Sequence, residues 1–294
     1  MDYMVSATAW DGAVRAFSAR TTDMAEYARA AHQTWPVCTA ALGRLLTGGV
    51  MIGRMMKEEK ALVTLQIHGD GPAGGITVTA DSHGHAKGYI NNPHVDLPLK
   101  TNGHLDVSTA IGRGTLTVIR DLGLKDPYVG TVNLVSGEIA EDLTYYFAES
   151  DQVPSSVGLG VLVDRDLSVR QAGGFIIQLM PFAGEEIISA LEKKLSEISS
   201  VTEMLEKGMT PEDILQELLG DGNLTVNEKQ EISFCCGCSK ERMERALISI
   251  GPKDIKEMID DGKPIEIGCN FCGKQYTFDL PDLEKIYRIQ TGKK

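Results

Sequence analysis

Two short runs decide how this chain is organised: Phe234-Cys235-Cys236-Gly237-Cys238-Ser239 and Gly268-Cys269-Asn270-Phe271-Cys272-Gly273, whose cysteine pairs are separated by residues 239–268. They hold five of the six cysteines, and Cys38 is the sixth. Four thiolates in two local pairs suit a tetrahedral ion, each pair supplying one edge, and sulfur donors without a redox cofactor favour Zn2+. The stretch 233–294 is small enough to need such a staple. One pair is C-x-x-C, the usual zinc knuckle. The other is C-x-C, or C-C-x-C with Cys235 counted. A disulfide across C-x-C closes a tight ring and is strained and oxidising. Lys240, Arg242 and Lys274 follow the pairs, and positive charge there favours thiolates. The spacing leaves two readings open, an inert structural zinc site and a zinc-held thiol switch.

Working outward, charge divides the 294 residues. Residues 1–181 carry a net charge of −5, 182–232 of −8 and 233–294 of +1, giving −12 in all. We read 1–181 as an α+β core domain, 182–232 as an acidic, amphipathic helical linker and 233–294 as a four-cysteine zinc domain. In the linker, Ile187, Ile188, Leu191, Leu195, Ile198, Val201 and Leu205 recur at helical spacing, with Met204 beside them. A second helix is signalled by Thr210 as N-cap, Pro211 at the first position and Asp213 at N3. Its apolar face is Ile214, Leu215, Leu218 and Leu219, with Gly220 as the stop. Two docked helices and a face that can be uncovered for partners give the same periodicity.

In the core, Thr39–Met56 reads as a buried helix and Ile139–Phe147 as a second one. Ala61–His68, Ile76–Asp81, Ala86–Asn91, Thr115–Asp121, Tyr128–Val135 and Gly158–Asp164 read as strands, and Gly173–Met180 as a last apolar segment. Gly69-Asp70-Gly71-Pro72-Ala73-Gly74 spells G-x-G-x-x-G, but the strand-like Ile76-Thr77-Val78-Thr79 follows and Pro72 removes a donor. It reads as a hairpin turn rather than a dinucleotide cradle. His83-Gly84-His85 reads as an exposed turn and Cys38 as a small core residue. No enzyme active site emerges, and none is expected. The acidic balance disfavours nucleic acid, and no apolar run is read as reaching the roughly 18 residues of a membrane span. Met1-Asp2-Tyr3-Met4-Val5-Ser6 has neither a basic nor an apolar signal region, and the clustered cysteines suit a reducing compartment, so a cytoplasmic location is expected.

The tail segments FCCGCSKERMERAL and KPIEIGCNFCGKQYTF resemble the zinc domain of the redox-regulated heat-shock protein 33 family. TGGVMIGRMMKEEKALVTLQIHGDGPAGGITVTAD, GYINNP and AGGFIIQLMP resemble that family's core domain, so the resemblance spans nearly the whole chain. Cys236, Cys238, Cys269 and Cys272 fall on the four zinc-ligand positions, and Cys235 is an extra cysteine. The resemblance implies an ATP-independent holdase chaperone that is quiet with zinc bound. It implies that oxidation forms Cys236–Cys238 and Cys269–Cys272 disulfides, expels one zinc per chain and unfolds the tail. Linker residues Ile187, Ile188, Leu191, Leu195, Ile198, Met204, Leu205, Ile214, Leu215, Leu218 and Leu219 would then be exposed to unfolding clients. Dimerisation on oxidation and reversal by thioredoxin- or glutaredoxin-type reductants are implied as well. The competing functions are a zinc ribbon binding nucleic acid, which wants a more basic tail, and a thiol-disulfide oxidoreductase using Cys269 and Cys272, which wants a βαβ context.

Overall fold

The computed structural model describes residues 1–198 and 200–292. The chain divides into two units, Met1–Cys235 and Cys236–Lys294.

The first unit opens with strands β1 (Tyr3–Ala9) and β2 (Val14–Arg20) and helices α1 (Thr22–His32) and α2 (Pro36–Met55). Strands β3 (Leu62–Gly69), β4 (Ile76–Asp81) and β5 (His85–Ile90) follow, then the short helix α3 (Val107–Ile111). Strands β6 (Gly114–Asp121) and β7 (Tyr128–Asn133), helix α4 (Ala140–Glu149), and strands β8 (Ser155–Val163) and β9 (Val169–Leu179) come next. Helices α5 (Glu185–Glu197), α6 (Val201–Glu206) and α7 (Pro211–Leu219) lead to β10 (Thr225–Glu231) and β11 (Ser233–Phe234). One antiparallel sheet runs β10-β1-β2-β9-β8. The other runs β11-β5-β4-β3-β6-β7, with β11 parallel to β5. The α+β class read from the sequence is the class observed.

Helix α2 lies between the sheets, packed on β3, β4 and β5 on one side and on β2, β8 and β9 on the other. Its glycines permit that approach. A Cβ on Gly49 would stand 2.8 Å from Val78 and one on Gly53 2.5 Å from the Asp81 carbonyl oxygen, so side chains there would push helix and sheet apart. By length and composition α2 is apolar enough to cross a membrane, yet it is a buried core helix. Counting uninterrupted apolar residues overlooks it because Arg44, Thr47 and paired glycines break the run. At the start of α4, the buried Asp142 carboxylate accepts N–H groups from Val135 (2.8 Å), Ser136 (3.1 Å), Gly137 (3.3 Å) and Ile139 (2.9 Å). That grip holds Ile139, a β-branched residue, at φ 70°.

The other face of the first sheet carries α5, α6 and α7. Ile214, Leu215, Leu218, Leu219, Met204, Leu205 and Leu191 are buried there with Val5, Ala7, Val14, Ala16, Phe175 and Ile177 from the strands. Thr210 and Asp213 form the expected capping box of α7. The Tyr3 hydroxyl donates to Glu212 (2.7 Å), as does Lys229 (3.0 Å), fastening α7 to β1 and β10.

Three features depart from the sequence reading. The apolar pattern 187–205 is two helices, because Ile198 is extended and Ser200 caps α6 by accepting the Glu203 N–H. The acidic stretch also ends in a strand, β10, whose sequence TVNEKQE is too polar to signal one; edge pairing with β1 holds it. Residues 3–32, for which the sequence suggested no element, form β1, β2 and α1.

The second unit comprises α8 (Lys240–Ile248), α9 (Pro252–Asp260), the hairpin β12 (Ile265–Gly268) and β13 (Gln275–Phe278), and α10 (Leu280–Thr291). Its fully enclosed core is small: Leu247, Ile255, Tyr276, Phe278, Leu283 and Ile286, with Cys269.

Candidate metal centre

Local chain geometry presents the two cysteine pairs. Cys269 and Cys272 sit in the β12–β13 turn, where the Cys269 N–H donates to the Lys274 carbonyl (2.9 Å) and the Gly273 N–H to the Cys269 carbonyl (2.8 Å). Gly273 turns the chain at φ 71°, a conformation that glycine adopts without strain. Cys236 and Cys238 lie in the extended lead-in to α8, and Ser239 ends it by capping the helix through the Arg242 N–H (3.3 Å).

The four sulfurs all lie within 4.8 Å of one another. The Sγ atoms of Cys236 and Cys269 are 3.6 Å apart and those of Cys238 and Cys272 3.4 Å apart. A Zn–S bond of about 2.3 Å implies tetrahedral edges of about 3.8 Å, so the donor set fits zinc in number, softness and spacing. The small core beside it suits a unit that a metal would staple.

Burial pushes the Cys236 thiol up to about 12, against the N–H of Cys238 that bonds its sulfur. Burial opposes ionisation of Cys238 too, but the Tyr276 hydroxyl (3.1 Å) and the neighbouring thiols outweigh it and bring Cys238 down to about 7. Burial also raises Cys272, against a bond from the Lys274 N–H.

The other candidates fall elsewhere. Cys235 is exposed and belongs to the first unit, its N–H donating to the Ala86 carbonyl (2.9 Å). Cys38 is buried in α2, where burial raises its thiol and its Sγ lies 3.3 Å from the Asn92 carbonyl. Gly69–Gly74 is a hairpin turn between β3 and β4. His83 lies in the β4–β5 turn and His85 opens β5, its Nδ1 3.0 Å from Asp81. Among the linker residues, Ile187, Ile188, Leu195 and Ile198 are half-buried and the others are buried. The sequence reading missed Tyr276, whose only signal is an aromatic residue following the second pair.

Comparison with known proteins places this geometry. A model of the Hsp33 protein family matches residues 2–279. The chain belongs to the Hsp33 family. Among curated Hsp33 relatives, the 33 kDa chaperonin of Lachnoclostridium phytofermentans is 60% identical over 285 residues, covering 97% of this chain and 98% of that protein. The 33 kDa chaperonin of Agathobacter rectalis is 56% identical over 285 residues, covering 97% and 99%. The crystal structure of the 33 kDa chaperonin (heat shock protein 33 homolog) of Thermotoga maritima superposes with a TM-score of 0.93 at 36% identity, covering 99% of each chain. The chain is thus a chaperone of the Hsp33 type, with a cysteine cluster able to hold a metal ion.

Proposed function

We propose that this chain is a redox-regulated, ATP-independent holdase whose switch is Cys236, Cys238, Cys269 and Cys272. The convergence of their four sulfurs within 4.8 Å carries the reading. Reduced, the four thiolates hold one Zn2+, which supplies folding free energy of about 10–16 kcal/mol in comparable small sites. Oxidation by peroxide joins Cys236 to Cys238 and Cys269 to Cys272. The four thiolates give four electrons to two peroxide molecules, which take up four protons and become four waters. Disulfide sulfurs are uncharged, so the site loses its hold on the cation and the second unit loses its staple.

The change passes along the chain into β11 and β10, which immediately precede Cys236. Strand β10 buries almost nothing, so it belongs to the easily opened part of the first unit. Its loss removes Lys229 from Glu212 and loosens α7. The apolar faces of α5–α7 and of the strands beneath them then meet non-native clients, and Met204 and the leucines adapt to varied shapes. The surrounding acidic residues keep that state soluble. The oxidised form pairs with a second copy, and thioredoxin- or glutaredoxin-type reductants reset it in the cytoplasm.

A catalytic dithiol is less well supported, because Cys269 is buried in a β-hairpin turn rather than at a helix start. A nucleic-acid ribbon lacks the basic surplus it would need.

The test pairs zinc release, read with a chromogenic chelator during peroxide treatment, with suppression of a model client's aggregation in the same samples. Zinc release and suppression rising together are expected. Zinc retained through oxidation with no suppression would overturn the reading.

A further inference from the structure

The sulfurs of the centre do not all receive the same kind of hydrogen bond. Cys236 accepts the backbone N–H of Cys238, and Cys272 accepts that of Lys274. Cys238 accepts a side chain, the Tyr276 hydroxyl, at 3.1 Å. Tyr276 is only 8% exposed and pairs with Ile267 across the β12–β13 hairpin. The hairpin that presents Cys269 and Cys272 thereby fixes a phenol against a sulfur of the other pair. The Lys274 ammonium stands 5.3 Å from the Tyr276 ring centroid. That distance is within the range of a cation–π attraction, which helps hold the ring where it is.

We propose that Tyr276 is a positioning residue of the thiol switch, whose hydroxyl holds the Cys238 sulfur in place for the metal and restrains its reaction with peroxide. The inference rests on the reading of the centre as a zinc-held switch. Oxidation begins when a sulfur lone pair attacks a peroxide oxygen. The O–O bond breaks, leaving a sulfenic acid on Cys238 and one hydroxide. The Cys236 thiolate then displaces a second hydroxide to form the S–S bond, and the two hydroxides take up two protons. A donor on the Cys238 sulfur engages the density needed for the first attack, and nucleophilicity falls as a thiolate becomes less basic. The same donor orients the sulfur as a ligand, and groups in that role are commonly worth 10–100-fold in metal affinity. Because this donor is a hydroxyl rather than backbone, it can be removed alone.

The experiment uses the full chain in a Cys235→Ser background, reduced and zinc-loaded, with and without Tyr276→Phe. Chelator competition reads zinc affinity, expected to fall about tenfold. Timed hydrogen peroxide treatment, differential alkylation and mass spectrometry read how fast the Cys236 and Cys238 thiols disappear relative to those of Cys269 and Cys272 in the same molecules. That ratio is expected to rise several-fold. A general loosening of the unit speeds both pairs and leaves the ratio alone. Placing 3-fluorotyrosine at 276, a stronger donor of nearly the same shape, should move the ratio the opposite way. An unchanged ratio in both variants would overturn the proposal whatever happens to zinc affinity. Absence of zinc from the parent chain would instead defeat the functional reading, while the ratio would still report whether Tyr276 governs Cys238.

Discussion

Leu218→Ala tests whether the linker helices form a latch over the sheet. Leu218 is 1% exposed, and Ile214, Leu215 and Leu219 beside it are equally enclosed against the first sheet. Truncating a buried leucine costs about 2–5 kcal/mol, depending on how far the cavity collapses. Taking about 3 kcal/mol, undocking of α7 becomes roughly a hundredfold more frequent. Leu45→Ala is the matched control: Leu45 is also fully buried, but it lies in α2 between the sheets, away from the helices. Hydrogen-exchange mass spectrometry of peptides covering 201–219, on reduced protein, should show faster exchange in Leu218→Ala than in Leu45→Ala at matched distance from each variant's Tm. Client aggregation should be partly suppressed by reduced Leu218→Ala and not by reduced Leu45→Ala. Equal exchange in the two variants, with no gain of suppression, would show that α5–α7 are a permanent part of the core.

Asp142→Ala strands the buried N–H groups of Gly137 and Ile139 and frees the partly exposed ones of Val135 and Ser136; at about 1 kcal/mol or more for each buried group it should lower the thermal midpoint of the first unit by at least about 5 °C, read by calorimetry. Burial raises the Asp2 carboxyl to about 6, against the Met24 and Asp23 N–H groups that it accepts. The folded state then keeps a proton that the unfolded chain releases above about pH 4, so stability should fall as pH rises from 4 to 7, by about 3 kcal/mol at most. Urea titrations of Asp2→Asn should lack that slope, and identical slopes would show that Asp2 is not its source. Chelation of metal under reducing conditions should abolish the dispersed NMR resonances of 236–292 while α2 amides stay protected; full retention of both would mean that the small core suffices.

Signals confined to a few neighbouring residues were legible in the sequence. Paired cysteines, the Thr210–Asp213 box, the apolar α2 and the alternating strands β3 to β7 each carry their own cause. Elements whose cause lies far along the chain were not. Strand β10 exists because β1 offers an edge, and nothing within TVNEKQE says so. Strand β1 alternates with alanine and serine, weak strand formers that nevertheless suit a sheet face on which helices lie close. Ser200 reads equally as helix interior or cap, and only the break at Ile198 decides. Tyr276 meets Cys238 through hairpin register, which residue types alone do not give. The four cysteines could be grouped from spacing, but their cross-pair closeness, Cys236 to Cys269 and Cys238 to Cys272, needed the fold.

The pairing of Tyr3 with Glu231 has a consequence for how this protein is made. The outer edge of β1 leaves the ribosome early, but its partner emerges only after more than two hundred further residues. At about 5–20 residues per second, that edge stays open for some tens of seconds in every nascent chain. Open strand edges recruit other strands, so this chaperone-family chain passes through an exposed interval of its own. Slower translation of the segment 182–231 should lengthen that interval, and a trigger factor-like cover would be most useful there.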